Sequence, residues 1–309
     1  MPELPDLEDY LAALRSRLLD ATLVRSRVVG ISLLRTYDPP LDAAHGRRVT
    51  GLRRLGKRLV VELEPYDDDE PLFLVLHLMI AGRLRWLPFG SKLPGRIGLA
   101  AFDVSAPGAP QAEGGTLVVT EAGTTRRASL HVVRGEAGLA EHDRGGVEPL
   151  DADLATFRER LTVENRTVKR ALTDPRRFAG IGNAYSDEIL HAARLSPVRR
   201  THDLVDPEVA ALHAATRVVL RGWVARLREA TGDRFPTEVT AFRPDFSVHG
   251  RHGQPCPDCG TEVQRIRYAS NETNYCPRCQ TGGRLLADRS LSRLLKDDWP
   301  RTVDELEGG

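Results

Sequence analysis

All four cysteines of the 309-residue chain fall in one run, CPDCGTEVQRIRYASNETNYCPRCQ, as two C-x-x-C pairs. Cys256 and Cys259 form the first pair and Cys276 and Cys279 the second, with sixteen residues between them. Two knuckles at this spacing set four thiolates tetrahedrally around Zn2+. Pro257 and Pro277 inside the pairs and Gly260 after the first suit the tight turns that this requires. Four protein ligands leave no open position for a catalytic water, so one structural zinc per chain is expected. Chemistry must come from elsewhere, and the opposite end of the chain, MPELPDLEDY, offers a candidate. Pro2 and Glu3 either start a helix and complement its dipole, or they sit where loss of Met1 would expose a secondary amine beside a carboxylate.

Leu7, Tyr10, Leu11, Leu14 and Leu18 recur at helical spacing, which predicts a helix from about Pro5 and puts Pro2 and Glu3 at its N-terminal mouth. Strand-like runs follow: TLVRSRVVGI, KRLVVELE, PLFLVLHLMI, GRLRWL, IGLAAFDV, GTLVVTE and ASLHVV. This half reads as a β-sandwich carrying one helix. Residues 136–150, rich in Gly, Asp and Pro and without an apolar period, read as a linker. Helices are expected over roughly 151–162, 165–174, 182–194 and 207–230. The division is therefore a sandwich domain over 1–135, a helical domain over 151–243, a four-cysteine finger over 244–281 and an extension over 282–309, an α+β chain overall.

With 41% hydrophobic and 28% charged residues the composition is that of a globular protein. No run of eighteen apolar residues and no basic, apolar leader is present, so a membrane span and a signal peptide are not expected, and cytoplasm is. The net charge of +1 conceals local bias: Arg160 to Arg200 holds nine Lys/Arg against four acids. Within that segment, Gly180 and Gly182 allow a tight turn into a helix, so backbone N–H groups can face a phosphate and Asn183 can add a side-chain donor.

PELPDLE at the start, LGKRLVVEL among the strands, DPRRFAGIGNAYSDEIL among the helices and the finger ending YCPRCQ occur in one order. In this the chain resembles the formamidopyrimidine-DNA glycosylase and endonuclease VIII family, to about residue 281. The resemblance implies a two-layered N-terminal sandwich with a leading helix, a helix-two-turn-helix domain and a zinc finger, with damaged DNA as the partner of a monomer. It implies a glycosylase with apurinic/apyrimidinic lyase activity in which Pro2 is the nucleophile and Glu3 the proton donor to the sugar. An α-amino group titrates near about 7.7–8, against about 10.4 for lysine, so a sizeable fraction of Pro2 would be unprotonated at neutral pH. The resemblance further implies phosphate contacts from Lys57 and Asn183, with Lys169 assisting. A DNA-damage or abasic-site binder of the same fold with weak or no turnover is the alternative, and a zinc-ribbon RNA-binding module leaves the N-terminus unexplained.

Departures from the family pattern concern the groups that fill the hole left by an extruded nucleotide. HLMIAG and TTRRAS place Ile80 at the methionine position, with Met79 one place early, leave Arg126 or Arg127 as the arginine, and put Ala128 where a phenylalanine is expected. Asn271 stands five residues before the third cysteine, where oxidised-purine members carry an arginine. It keeps a hydrogen bond to phosphate but loses the charge and the fork. A weaker wedge and clamp predict tolerance of single-stranded or bubble DNA. In the extension, a docked helix is expected around Leu291 to Lys296.

Overall fold

The computed structural model describes residues 1–65, 70–106, 114–123, 125–237, 239, 242–268, 271–288 and 300–307. The expected helix at Leu291 to Lys296 lies outside these. The chain divides into two compact units, one of residues 1–144 with 223–240, the other of 145–222 with 241–309.

The first unit is a sandwich of two four-stranded antiparallel sheets closed by helix α1 (Leu4–Leu18). One sheet has the order β1 (Thr22–Val28), β6 (Gly98–Ser105), β7 (Gly114–Glu121), β5 (Gly82–Pro88). The other runs β2 (Val49–Leu55), β3 (Arg58–Leu63), β4 (Leu72–His77), β8 (Ser129–Arg134). Leu59, Leu63, Leu74 and Leu76 from one sheet meet Leu23, Leu84, Phe102 and Leu117 from the other, and the Leu7, Tyr10, Leu11, Leu14 and Leu18 face of α1 joins the same core. Each such leucine contributes about 1.5–3 kcal/mol by leaving water.

The run RLVVEL lacks strand alternation because both faces of β3 are covered. Leu59 and Leu63 face the sandwich, while Val60 packs outward with Phe73, Val75 and Val133 beneath Leu139 of α2 (Gly135–Ala140). Part of the stretch read as a linker is thus helical, its one buried leucine too isolated to show a period. Strand β2 escaped the sequence reading for a related reason: VTGLRRL carries a glycine and two arginines, and its pairing with β3, Leu52 opposite Val61, rather than its own pattern makes it a strand.

The second unit contains α3 (Leu154–Thr162), α4 (Val168–Leu172), α5 (Asn183–Ala192), a hairpin of β9 (Gln264–Arg267) and β10 (Glu272–Tyr275), α7 (Pro277–Thr281) and α8 (Val303–Glu307). The long α6 (Asp206–Thr231) begins in this unit and ends in the first. Asp153 caps α3 by accepting from the Thr156 amide at 2.8 Å. Phe157 packs on Phe178 and His213, with ring centroids 4.7 and 5.1 Å away. No helix among the described residues is long and apolar enough to cross a membrane.

Candidate functional site

In the first unit, chemistry-bearing groups gather where α1 begins. Glu3 has extended backbone, and its N–H donates to Asp6 Oδ2 at 2.9 Å, one half of a capping box, while Pro5 occupies the first turn. The carboxylates of Glu3 and Asp6 are buried, Glu3 being only 4% exposed. Lys57 follows Gly56 in the two-residue turn between β2 and β3; Gly56 has φ +60, which the turn requires of its first residue. The strand therefore starts at Arg58, and Lys57 is presented by the turn. Burial holds the Lys57 ammonium below its ordinary range, with Glu3 and then Asp6 opposing the shift. The terminal amine of Met1 is likewise lowered, first by burial, against which Glu3 acts, and further by Arg83 and Lys57. An amine, a lysine and two carboxylates thus share one electrostatic neighbourhood at the positive end of a helix.

Arg83 of β5 belongs to this neighbourhood and was not singled out from the sequence; its guanidinium also donates to the carbonyls of Ile80 and Gly82 at 3.1 and 2.7 Å. The turn it supports is tight. The Gly82 amide donates to Leu78 O at 2.9 Å, and a Cβ on Gly82 would lie 2.2 Å from that oxygen, which restricts the position to glycine. Met79 adopts φ +53 and Ile80 projects from the tip, 58% exposed. Ala128, by contrast, is 1% exposed and part of the sandwich core. Glu121 fixes the loop before it, accepting from the backbone amides of Arg127 at 3.0 Å and Ala128 at 3.1 Å. Arg126 donates to Arg96 O, and Arg127 is exposed.

In the second unit the four cysteine sulfurs lie within 4.8 Å of one another, Cys256 and Cys279 at 3.9 Å and Cys259 and Cys276 at 3.4 Å. Tetrahedral zinc with Zn–S bonds of about 2.3 Å sets sulfurs about 3.8 Å apart, so the donor set and spacing fit a closed structural site. His191 Nε2 lies 3.3 Å from Cys256 Sγ, tying α5 to the finger.

A 670 Å³ cavity brings together three of the residues picked out for phosphate binding, Lys169, Asn183 and Asn271, with Thr167, Arg170 and Tyr268 also on its wall. Gly180 takes φ +80 just before α5, and Gly182 is the residue preceding the helix, so Asn183 opens it. One Asn183 amide hydrogen goes to Glu272 O of the hairpin at 2.9 Å. Lys169 is buried, donating to Asn183 O at 3.2 Å and ion-paired with Asp187. The exposed cation on this wall is Arg170, which the sequence marks only as one of the nine basic residues of its segment.

Asp187 and Glu188 were likewise counted only as charges. Asp187 accepts from Lys169, from the Asn274 amide at 3.1 Å and sits 2.8 Å from His249 Nδ1. Glu188 accepts from the amides of Ser247, Val248 and His249 at 2.7, 2.9 and 2.9 Å. Burial raises the pKa of Glu188, opposed by those three amides. No periodicity marks such residues; the sole signal is the adjacency of two acids in a helix, NAYSDEILHA, that carries no other acid.

Comparisons with known proteins fit this geometry. The formamidopyrimidine-DNA glycosylase N-terminal domain model matches residues 1–181, the formamidopyrimidine-DNA glycosylase H2TH domain model matches 146–233, and the model of the zinc finger found in FPG and IleRS matches 253–282. A formamidopyrimidine-DNA glycosylase of Heliobacterium modesticaldum is 34% identical over 294 residues, covering 91% of this chain and 100% of the relative. An uncharacterized formamidopyrimidine-DNA glycosylase-like protein of Mycobacterium tuberculosis is 39% identical over 160 residues, 52% of this chain and 99% of its own. Lactococcus lactis Fpg, solved in complex with abasic-site DNA, shares the fold with a TM-score of 0.75 at 22% identity, covering 90% of this chain and 99% of that one. With a family model over more than half its length and a relative matched end to end, the chain belongs to the formamidopyrimidine-DNA glycosylase family.

Proposed function

We propose that this protein is a base-excision DNA repair glycosylase with associated apurinic/apyrimidinic lyase activity, and that Pro2, freed by loss of Met1, is its nucleophile. The observation that carries the reading is that buried Pro2 and the buried carboxylates of Glu3 and Asp6 meet at the mouth of α1, where Glu3 and Asp6 also act on Lys57, whose ammonium burial lowers. The lone pair of the Pro2 nitrogen forms a bond to C1′ as the glycosidic bond breaks, and the base departs with the electron pair of that glycosidic bond and takes a proton from solvent. Glu3 protonates the ring oxygen as the sugar opens and takes up the proton lost by the amine. The resulting iminium withdraws electrons from C2′, loss of a C2′ proton follows, and the 3′ phosphate leaves by β-elimination. Lys57 neutralises phosphate charge beside the reacting nucleotide.

In the second unit, Asn183, Asn271, Arg170 and the backbone at the start of α5 take phosphates, with Lys169 holding the helix start in place. The zinc keeps the finger folded and supplies no step. The domain division by role is 1–135 for catalysis and 151–243 and 244–281 for DNA binding, although residues 223–240 belong to the first compact unit. Ile80 is the protruding apolar wedge, aided by Arg126 or Arg127, while Ala128 is too deeply packed to contribute. A wedge of Ile80 and one arginine, without a third side chain at Ala128, offsets less of the cost of extruding a base, about a few kcal/mol in a duplex, so single-stranded or bubble lesions are substrates as well.

Borohydride trapping on an abasic oligonucleotide tests the proposal, run in duplex, bubble and single-stranded form at fixed salt. The expected result is a covalent adduct mapped to Pro2 in all three contexts. An adduct on a lysine, or equal trapping by protein that retains Met1, would sink the nucleophile assignment. Strong duplex preference would show that the hole is filled by other groups. Tight binding without any adduct would favour an abasic-site binding protein.

A further inference from the structure

The family models end at residue 282, leaving the extension unexplained. Its described parts are not loose. The Leu285 amide donates to Arg301 O at 2.8 Å and the Val303 amide to Gly283 O at 2.9 Å, and Val303 is 2% exposed. From that anchorage the chain runs along the β9–β10 hairpin. Leu286 joins Ile266 and Tyr275 in one apolar cluster and donates its amide to the Tyr275 hydroxyl at 2.8 Å. Two residues on, Asp288, 1% exposed, accepts from the Arg267 amide at 2.7 Å, at the last residue of β9 before the turn. Ala287 between them lies on the wall of the cavity that holds Lys169, Asn183 and Asn271.

A two-stranded hairpin of four residues per strand is marginal by itself. This one is held on one side by α5, through Asn183 to Glu272 O and Asp187 to the Asn274 amide, and on the other by Leu286 and Asp288. The Tyr268 amide donates to Asn271 O at 2.7 Å, so a restraint at Arg267 is passed through one backbone bond of its neighbour to Asn271. That residue is uncharged. A neutral donor loses its worth steeply when misaligned, whereas a cation attracts phosphate from many directions.

Resting on the DNA-binding reading above, we propose that residues 285–288 are a brace that aligns the hairpin for a nucleic-acid phosphate, with Asp288 as a positioning residue. The extension thus supplies by rigidity what Asn271 lacks in charge.

The test uses the full-length zinc-loaded protein with Asp288→Ala and Leu286→Ala. Amide hydrogen exchange at Arg267 and Tyr268 is measured without DNA, together with zinc per chain and Kd for an abasic-site duplex. Expected are exchange at those amides faster by about ten-fold, a Kd weaker by about ten-fold, and zinc retained. The Asp288→Asn variant, which keeps an acceptor oxygen, should recover most of both effects. Unchanged exchange, a Kd change without an exchange change, or loss of zinc in both alanine variants would overturn the brace. Failure of the unaltered protein to bind the duplex would instead overturn the functional reading, and the exchange arm would still decide whether the extension braces the hairpin.

Discussion

Each unit buries a lysine near acids, with opposite consequences. Lys57 is half-buried in the neighbourhood of Glu3 and Asp6, and desolvation still outweighs those two carboxylates, so its ammonium is destabilised. Lys169 lies in an ion pair with Asp187, which is further satisfied by His249 and the Asn274 amide. The same residue type is therefore poised in one place and locked in the other. A charge kept under incomplete compensation can change protonation or engage an incoming phosphate, whereas a fully partnered one fixes neighbouring elements. The first pattern marks a place for chemistry, and the second marks the scaffold that orients α5 and the finger.

The contrast is sharpened most by Glu3→Gln. Base excision should fall by about 10²–10⁴-fold, the scale of a lost general acid, while cleavage of a preformed abasic site suffers much less because no glycosidic bond needs breaking. Single-turnover rates on matched lesion and abasic duplexes measure this, and equal losses would argue that Glu3 only caps α1. Next in size is Asp187→Ala, which strands Lys169 as a buried cation and should cost about 3–5 kcal/mol of stability in urea unfolding of the zinc-loaded protein. A cost under about 1 kcal/mol would mean that Lys169 relaxes to solvent and that the second unit is no more locked than the first.

The smallest effect is an order of events in acid. In the first unit His77 and His131 are pushed down to about 4, by burial first and then, for His77, Arg58, and for His131, His142. Unfolded histidine titrates near about 6.5, so between about 6.5 and 4 the unfolded state binds protons that the folded state resists, and stability falls as the pH drops. In the second unit Asp174 is held down to about 2, first by its hydrogen bond from Arg176, so its contribution survives until far lower pH. Exchange-resolved acid titration should show the sheet that carries His77 and His131 loosening before the Asp174 region, and His131→Gln should reduce that sheet's pH dependence by about 1 kcal/mol or less. Simultaneous loosening of that sheet and the Asp174 region would break the comparison.

Much of the architecture was legible because it rests on local rules. The Leu7 to Leu18 period, the apolar strand runs and the C-x-x-C spacing each report on a few neighbouring residues. Strand β2 and the β9–β10 hairpin were not legible, since Arg53, Arg54, Gln264 and Arg265 become strand residues only through their pairing partners. At the proposed site, Pro2, Glu3 and Lys57 could be named through the family resemblance of the motifs that hold them. Arg83, Arg170, Asp187 and Asp288 could not, because a charged residue in a strand, helix or tail looks like surface until its neighbours in space are known.

The sequence by itself determined the zinc-ligand set and the α+β division, because each depends on spacing along the chain. Tertiary structure decided which charges stay poised and which are neutralised. Desolvation and pairing are set by what packs around a group: Asp187 beside Lys169, eighteen positions away, and Asp288 beneath Arg267, twenty-one away. No pattern along the chain encodes those distances, and only the folded backbone brings the partners within reach.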